Sequence, residues 1–324
     1  MLDAFEFPPE QQAAFERARR LEWWTIAYLA SAILVMYLVL GSSQAMKTAW
    51  LEDILSVIPS VVFLIASRFA HKPPNQRFRY GYHRVTSIAF LCASAALLAM
   101  GGWLLVDALI KLIKQEHTTI GGITLFGQTF WLGWLMLPAL VWSAVPAMIL
   151  GRMKLPLGRK IHDKVLFAGS DMLKADWMTA LAAFVGVLGV GIGWWWADAV
   201  AAAIISLSIL RDGWHNLSEV VTDLMDEVPR VVDGSKVDAV TNRLKTHLQQ
   251  KPWVRDVGIR LRENGHVFFG EALITVNDEN HMIDKADEAM SECLEMDWRL
   301  YDFRVIPTRH ISEDGNPKPE SSQE

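Results

Sequence analysis

The chain has 324 residues, 52% of them hydrophobic, and its mean hydropathy of +0.20 is high for a soluble protein. The hydrophobic residues are concentrated between Trp23 and Trp214, whereas the remainder reads like an ordinary soluble domain. The formal net charge of −5 therefore combines two different regions and says little about partners, although we expect no nucleic acid among them. Cys92 and Cys293 lie in different regions without CxxC spacing, which argues against a disulfide framework.

Residues 1–23 are charged and amphipathic, unlike a cleavable leader, and they predict a cytosolic segment. Residues 24–214 then predict a transmembrane domain of six helices, because a spanning helix needs about 20 mostly apolar residues. The predicted spans are 24–42, 49–70, 86–113, 129–150, 174–195 and 197–214. Trp194, Trp195 and Trp196 separate the last two spans and suit a membrane–water interface. Glycines in the fifth span, such as Gly186 and Gly189, would permit close helix packing.

The basic residues predict the orientation of the spans. One set of connections is rich in arginine and lysine, namely the N-terminal segment, the loop between the second and third spans and the loop between the fourth and fifth. The opposite set holds only Lys47, Lys111 and Lys114. Because basic residues are retained on the cytosolic side, we expect a multi-pass protein of the plasma (inner) membrane with both termini in the cytosol.

Residues 215–308 predict a small cytosolic α+β domain. Two amphipathic helices and three strands alternate in the order αββαβ, and Asn264–Gly265 is a strong hairpin signal between the first two strands. The histidines of this region match no compact metal-ligand pattern. Residues 309–324 are rich in proline, serine and acids, which predicts a disordered tail.

A short motif follows the second span. It consists of a basic residue with two prolines, Lys72–Pro73–Pro74, and then Arg79-Tyr80-Gly81-Tyr82-His83-Arg84. This stretch closely resembles the corresponding loop of the cation diffusion facilitator (cation efflux) family. Six spans, cytosolic termini and a ferredoxin-like C-terminal domain also match that family, over roughly residues 25–308 of this chain.

The resemblance implies a homodimer in the lipid bilayer that exchanges divalent metal ions for protons. It further implies a transport site between the second and fifth spans, where each helix gives two ligands four residues apart. Such ligands project from one helical face, and four of them suit tetrahedral zinc. Placed on this sequence, the second-span pair becomes Asp53 and Val57 and the fifth-span pair becomes Met172 and Asp176. Only half of the expected site is then present.

Three kinds of side chain are candidates to complete this site. Ser56 lies near the face of Asp53, as Ser60 does one turn later, and a hydroxyl there could add an oxygen ligand. Met172 precedes Asp176 by one turn and could supply a soft sulfur. Asp171 could replace the missing side chain, although on a regular helix it points about 140° away from Asp176. Asp171 is instead well spaced to pair with Lys174.

The identity of the ion and the role of the other intramembrane acids stay open at this point. An oxygen-dominated site favours Mn²⁺, Mg²⁺ or Fe²⁺, whereas a methionine ligand favours a softer ion, and Zn²⁺ is also possible. Glu52 is equally compatible with a structural charge and with a ligand. Asp107 and Asp198 are expected at helix ends. The loop after the second span has only His83 beside it, so we expect no metal there.

The sequence therefore predicts a transporter that exports a divalent cation by alternating access, with protons displacing the ion from Asp53 and Asp176. No cofactor is expected, because the cation is the cargo. The alternative is a transport-silent regulatory or scaffolding subunit of the same fold, which the half-empty site motivates. An enzyme is not expected, because HExxH, GxSxG and P-loop motifs are missing from the sequence.

Overall fold

The computed structural model of the protein describes residues 6–69, 72, 75–115, 120–125, 128–278 and 280–311. Pro73 and Pro74 of the loop motif lie outside the described residues, as do residues 312–324 of the predicted tail. The helices are α1 (Pro9–Val39), α2 (Gln44–Leu55), α3 (Val57–Phe69), α4 (Val85–Ile113), α5 (Gly133–Ile161), α6 (Lys164–Ile192), α7 (Ala197–Leu224), α8 (Val240–Gln249) and α9 (Met282–Met296). The strands are β1 (Gly122–Leu125), β2 (Gln128–Trp131), β3 (Val254–Asn264), β4 (Val267–Val276) and β5 (Leu300–Pro307).

Five helical segments of the described chain are long and apolar enough to cross a membrane: Pro9–Val39, Gln44–Phe69, Phe90–Ile113, Gly133–Ile161 and Lys164–Ile192. The second of these combines α2 and α3. Helix α7 is about 42 Å long but more polar, with Arg211 and Asp212 in its second half, and its crossing of the membrane stays a prediction. The predicted fold class, a helical membrane domain followed by a small α+β domain, is confirmed.

Helix α1 begins at Pro9 and therefore includes most of the predicted N-terminal segment 1–23 as well as the first predicted span up to Val39. The boundary at which the cytosolic segment ends stays a prediction. The fourth span was predicted to begin at residue 129, but residues 128–131 form β2, which pairs antiparallel with β1, and α5 begins at Gly133. Composition could not separate these alternatives, because a short apolar run suits a strand as well as a helix.

The chain divides into two compact units. The helical unit contains residues 13–69 and 85–221, and the sheet unit contains residues 1–12, 70–84 and 222–324. In the helical unit, α2, α5, α6 and α7 contribute to one apolar core. Gly186 and Gly189 let α6 approach α7 closely, since added Cβ atoms would lie 2.7 Å from the Cβ of Ala201 and 2.4 Å from that of Ala197. The predicted glycine packing in the fifth span is confirmed at these two positions.

Asp198, in the first turn of α7, closes the N-terminus of α2. Its carboxylate accepts hydrogen bonds from the hydroxyl of Ser43 at 2.5 Å and from the backbone N–H groups of Gln44 at 2.5 Å and Ala45 at 3.2 Å. The first N–H groups of a helix have no partner within the helix, so an anion there both satisfies them and complements the helix dipole. Asp198 thus lies at a helix end, as expected, and it fixes where α2 begins.

The sheet unit has the predicted order αββαβ. Strand β3 pairs antiparallel with β4, and β4 pairs parallel with β5. The hairpin falls at the predicted Asn264–Gly265 signal, where Gly265 takes a positive φ of 67°. Buried residues of α8 and α9, including Leu244 and Cys293, pack with Phe268 and Phe303 of the strands in one apolar core.

The loop motif packs within the sheet unit. The ring of His83 contacts Phe269 of β4 and Tyr301 of β5 edge to face, with centroids 5.9 Å and 5.6 Å apart. Arg84 forms an ion pair with Asp226 and donates a hydrogen bond to the side chain of Asn264 at 3.1 Å. The end of this loop therefore has a structural role in addition to its basic charge.

Replacing Asp198 by alanine leaves the hydroxyl of Ser43 and two N–H groups of α2 without their acceptor. We expect Asp198→Ala to lower the free energy of unfolding by about 2 kcal/mol, since lost caps and unsatisfied buried donors each have effects of this size. Asp198→Asn, which keeps an acceptor, is the matched control and is expected to lose less. Thermal unfolding of the purified protein in detergent measures both, and an alanine variant as stable as the wild type would contradict this role.

Burial, and to a smaller extent electrostatic repulsion from the neighbouring His266, lower the pKa of His83 to about 4 from its ordinary 6.5. The folded protein therefore disfavours the protonated ring of His83. The free energy of unfolding has its full value above about pH 6.5 and falls as the pH drops towards 4, by about 3 kcal/mol at most. We expect His83→Gln to flatten this part of the pH profile.

The measurement is hydrogen-exchange protection of the β4 and β5 amides between pH 7 and pH 4, corrected for the intrinsic pH dependence of exchange. His281→Gln is the control, because the side chain of His281 is 83% exposed and its loss should leave the profile unchanged. Equal slopes for the wild type and His83→Gln would refute the assignment.

Candidate cation site

The second span is interrupted at Ser56. Helix α2 ends at Leu55, Ser56 caps it with a backbone N–H to the carbonyl of Glu52 at 2.9 Å, and α3 begins at Val57. Pro59 explains the break, because proline has no N–H to donate to the carbonyl four residues earlier, at Leu55. The interruption places the hydroxyl of Ser56 at a helix end in the interior of the helical unit, where Ser56 is only 4% exposed.

Ser56 connects the second predicted span to the fifth. Its hydroxyl donates a hydrogen bond to Oδ1 of Asp176 on α6, at 2.7 Å. Asp176 is itself almost fully buried. The structure therefore brings together two of the residues predicted from sequence, Ser56 and Asp176.

A small crevice lies beside this hydrogen bond. Two pairs of lining residues are four positions apart: Glu52 with Ser56 at the C-terminal end of α2, and Met172 with Asp176 on α6. The other lining residues are Leu97, Ala175, Ile209 and Asp212. Its volume of about 10 Å³ is close to that of one water-sized sphere. Met172 is thus buried next to Asp176, as its spacing predicted. The crevice has the size of a site for a single small ion.

Two carboxylate oxygens of this region accept no hydrogen bond in the described structure. They are Oε2 of Glu52 and Oδ2 of Asp176. Buried carboxylates in proteins are normally satisfied, so a vacant oxygen calls for a physical explanation such as an ion or a proton. Glu52 and Asp176 are also close enough to influence each other electrostatically. Two vacant acceptors of like charge beside one crevice make it a candidate cation site.

Asp53 faces a different neighbour. Both of its carboxylate oxygens accept from the hydroxyl of Ser143 on α5, at 3.1 Å each. Tyr28 of α1 donates to the backbone carbonyl of the same serine. Adjacent residues on a helix point about 100° apart, and Asp53, unlike Glu52, is not among the residues that line the crevice. Asp53 is nevertheless buried and within electrostatic reach of Asp176.

Asp171 lies on the outside of α6. Its side chain is 61% exposed and its carboxylate is 3.9 Å from the ammonium of Lys174, in the pairing that the sequence spacing indicated. Asp171 is not among the residues that line the crevice. The structure therefore brings Ser56, Met172 and Asp176 together and leaves Asp53 and Asp171 apart from them.

Sequence reasoning left the role of Glu52 open, and the structure places this residue at the crevice. The available signal was its spacing: Glu52 and Ser56 are four residues apart at the C-terminal end of α2, as Met172 and Asp176 are on α6. The family resemblance instead implies Asp53 and Val57 as the second-span pair, and that assignment stays a prediction. Across the described residues, no three His, Cys, Asp or Glu side chains converge as a metal centre. The potential donors at the crevice are three carboxylates, those of Glu52, Asp176 and Asp212, together with a hydroxyl and a thioether.

Comparison with known proteins identifies the fold. Residues 23–225 match the family model described as the cation efflux transmembrane domain. The chain is 28% identical to the manganese efflux system protein MneS of Bacillus subtilis over 201 residues, which cover 62% of this chain and 65% of MneS, slightly under two thirds. It is 26% identical to MneP, a second manganese efflux system protein of that organism, over 74% of this chain and 78% of MneP.

A third relative is named for metals other than manganese. The cadmium, cobalt and zinc/H⁺–K⁺ antiporter of Bacillus subtilis is 26% identical over 192 residues, which cover 58% of this chain and 55% of the antiporter. The family match extends over more than half of the chain and includes both helices that carry the crevice. The chain therefore belongs to the cation efflux family.

Proposed function

We propose that this protein exports a divalent cation across the membrane and that the crevice between α2 and α6 holds the ion. The observation that carries this proposal is the pair of vacant carboxylate oxygens on Glu52 and Asp176, beside a cavity of about 10 Å³. Both side chains are buried, so their charges are screened by little water. A divalent ion would satisfy both oxygens at once and balance two of the negative charges at the crevice, which Asp212 also lines.

The other two donors affect which ion is preferred. The hydroxyl of Ser56 adds a neutral oxygen, which suits hard ions such as Mn²⁺, whereas the sulfur of Met172 favours softer ions. Two relatives are named for manganese efflux and a third for cadmium, cobalt and zinc. Mn²⁺ is therefore the first ion to test, with Zn²⁺ and Cd²⁺ as competitors.

Protons are the proposed counter-ions. A carboxylate must be deprotonated to bind a metal, so protons and the cation compete for the same oxygens of Glu52 and Asp176. Exchange of the two across the membrane then needs no separate coupling site. Asp53 adds a further negative charge within electrostatic reach of Asp176, and its two oxygens share the one hydroxyl of Ser143. We assign Asp53 to the charge of the site and Glu52 to direct binding.

The membrane orientation and the oligomeric state are proposed from the sequence and the family. The basic loops favour cytosolic termini in a plasma (inner) membrane. A homodimer is proposed from the family resemblance. The transport-silent alternative rests on the scarcity of acidic ligands, because no three of them converge among the described residues. Equilibrium binding separates the two proposals, since a silent subunit would show no saturable Mn²⁺ site in the helical unit.

Uptake of Mn²⁺ by proteoliposomes containing the purified protein tests the site. We expect Glu52→Gln and Asp176→Asn each to lower the transport rate by roughly 100-fold, because each removes one of the two charged ligands. Asp53→Asn should have a smaller effect, since its oxygens already have a partner. The order of these effects shows whether Glu52 or Asp53 binds the ion.

Asp171→Asn is the matched control. It removes the same charge from the same helix as Asp176→Asn, but at an exposed position, and it should leave transport within about twofold of the wild type. All variants are compared at equal amounts of folded protein after size-exclusion chromatography. Normal transport by Asp176→Asn, or an equally severe loss in Asp171→Asn, would overturn the site assignment.

A further inference from the structure

A buried ion pair lies apart from the crevice. Nζ of Lys154 on α5 is 2.8 Å from Oε2 of Glu22 on α1, and both side chains are only 1% exposed. The same ammonium group donates a hydrogen bond to the hydroxyl of Ser60 on α3, at 3.3 Å. Three helices of the helical unit are therefore joined at one positive charge.

Connecting helices through a buried ion pair has a high cost in free energy. Removing a lysine and a glutamate from water costs several kcal/mol per ion, and well-packed apolar side chains of similar volume are often at least as stabilising. Charged groups inside a membrane domain are for this reason functional by default. Among the residues that the structure describes, Lys154 is the only lysine or arginine that is buried.

The position of Lys154 relates this charge to the candidate site. Ser60 follows Ser56 by one helical turn, about 6 Å along the span, and Ser56 donates to Asp176. Lys154 is also close enough to Asp176 for the two to interact electrostatically. A fixed positive charge within electrostatic reach, in an interior with little water, acts on any ion bound at Asp176.

We propose that Lys154 is a positioning residue whose fixed charge sets how tightly the crevice holds its cation, and that Glu22 holds Lys154 in place. This inference rests on the proposed function. When the site is empty, the ammonium group balances part of the negative charge of Asp176. When a divalent ion is bound, the same group repels it. Both effects lower the affinity, which allows an exporter to release its ion.

The alternative is a purely structural ion pair, and a charge swap separates the two. The double variant Glu22→Lys with Lys154→Glu keeps one acid and one base in contact, so the connection between α1 and α5 is retained. It replaces the positive charge near Ser60 and Asp176 by a negative one. The neutral double variant Glu22→Gln with Lys154→Met removes both charges and should lie between the swap and the wild type.

Isothermal calorimetry with Mn²⁺ on the purified full-length protein measures the affinity, and proteoliposome uptake measures the rate. We expect the swap to lower the Kd by at least about tenfold, the neutral pair to lower it less, and both to slow the maximal transport rate. Ser60→Ala, which frees the ammonium group from the second span, should also lower the Kd. If neither double variant folds, Ser60→Ala is the variant that tests this inference.

The outcomes are distinct. If the folded swap and neutral variants bind Mn²⁺ with the Kd of the wild type, the pair is structural and this inference is wrong. In the Ser60→Ala test, an unchanged or raised Kd has the same meaning. If the wild type shows no saturable Mn²⁺ binding, or if Asp176→Asn binds Mn²⁺ with the same Kd as the wild type, both the proposed function and this inference are wrong. A wild-type site that is lost in Asp176→Asn but unaffected by the swap overturns only the role of Lys154.

Discussion

The hydrogen bond from Ser56 to Asp176 is the contact on which the candidate site depends. It joins the second predicted span to the fifth at the one place where the second span is interrupted. In an apolar interior a carboxylate needs partners, and this hydroxyl satisfies one oxygen of Asp176 while leaving the other vacant. The proline three residues later creates the helix end at which the hydroxyl can reach α6. A local feature of the sequence thus determines a contact between distant helices.

Features with a local cause could be predicted from the sequence. Long apolar stretches gave the membrane helices, and Asn264–Gly265 gave the hairpin between β3 and β4, because hydropathy and turn chemistry act within a few residues. The spacing of Met172 and Asp176 placed them on one face of α6, and both line the crevice. The exposed pairing of Asp171 with Lys174 was predictable for the same reason.

Features that depend on tertiary packing could not be predicted from the sequence. Glu52 and Asp53 are adjacent and both acidic, and only the rotation of α2 decides which of them faces α6. That rotation is fixed by contacts far away in the sequence, such as the capping of α2 by Asp198 and the bond from Ser143 to Asp53. The pair of Glu22 and Lys154 is separated by 132 residues, and nothing local in either segment indicates it. Such pairs become visible only when the helices are assembled.

The buried acids of the helical unit then differ in a way that burial alone does not reveal. Asp198 has donors on both oxygens, and the two oxygens of Asp53 share the one hydroxyl of Ser143; each of these acids connects two helices. Glu52 and Asp176 each retain a vacant oxygen at the same crevice. A carboxylate with donors on both oxygens would have to lose hydrogen bonds before it binds an ion. For a carboxylate with an unpaired oxygen, the free-energy cost of burying that oxygen is already present before the ion binds. Part of the stability that full pairing would provide is therefore given up at Glu52 and Asp176, and a bound cation is the partner that can restore it.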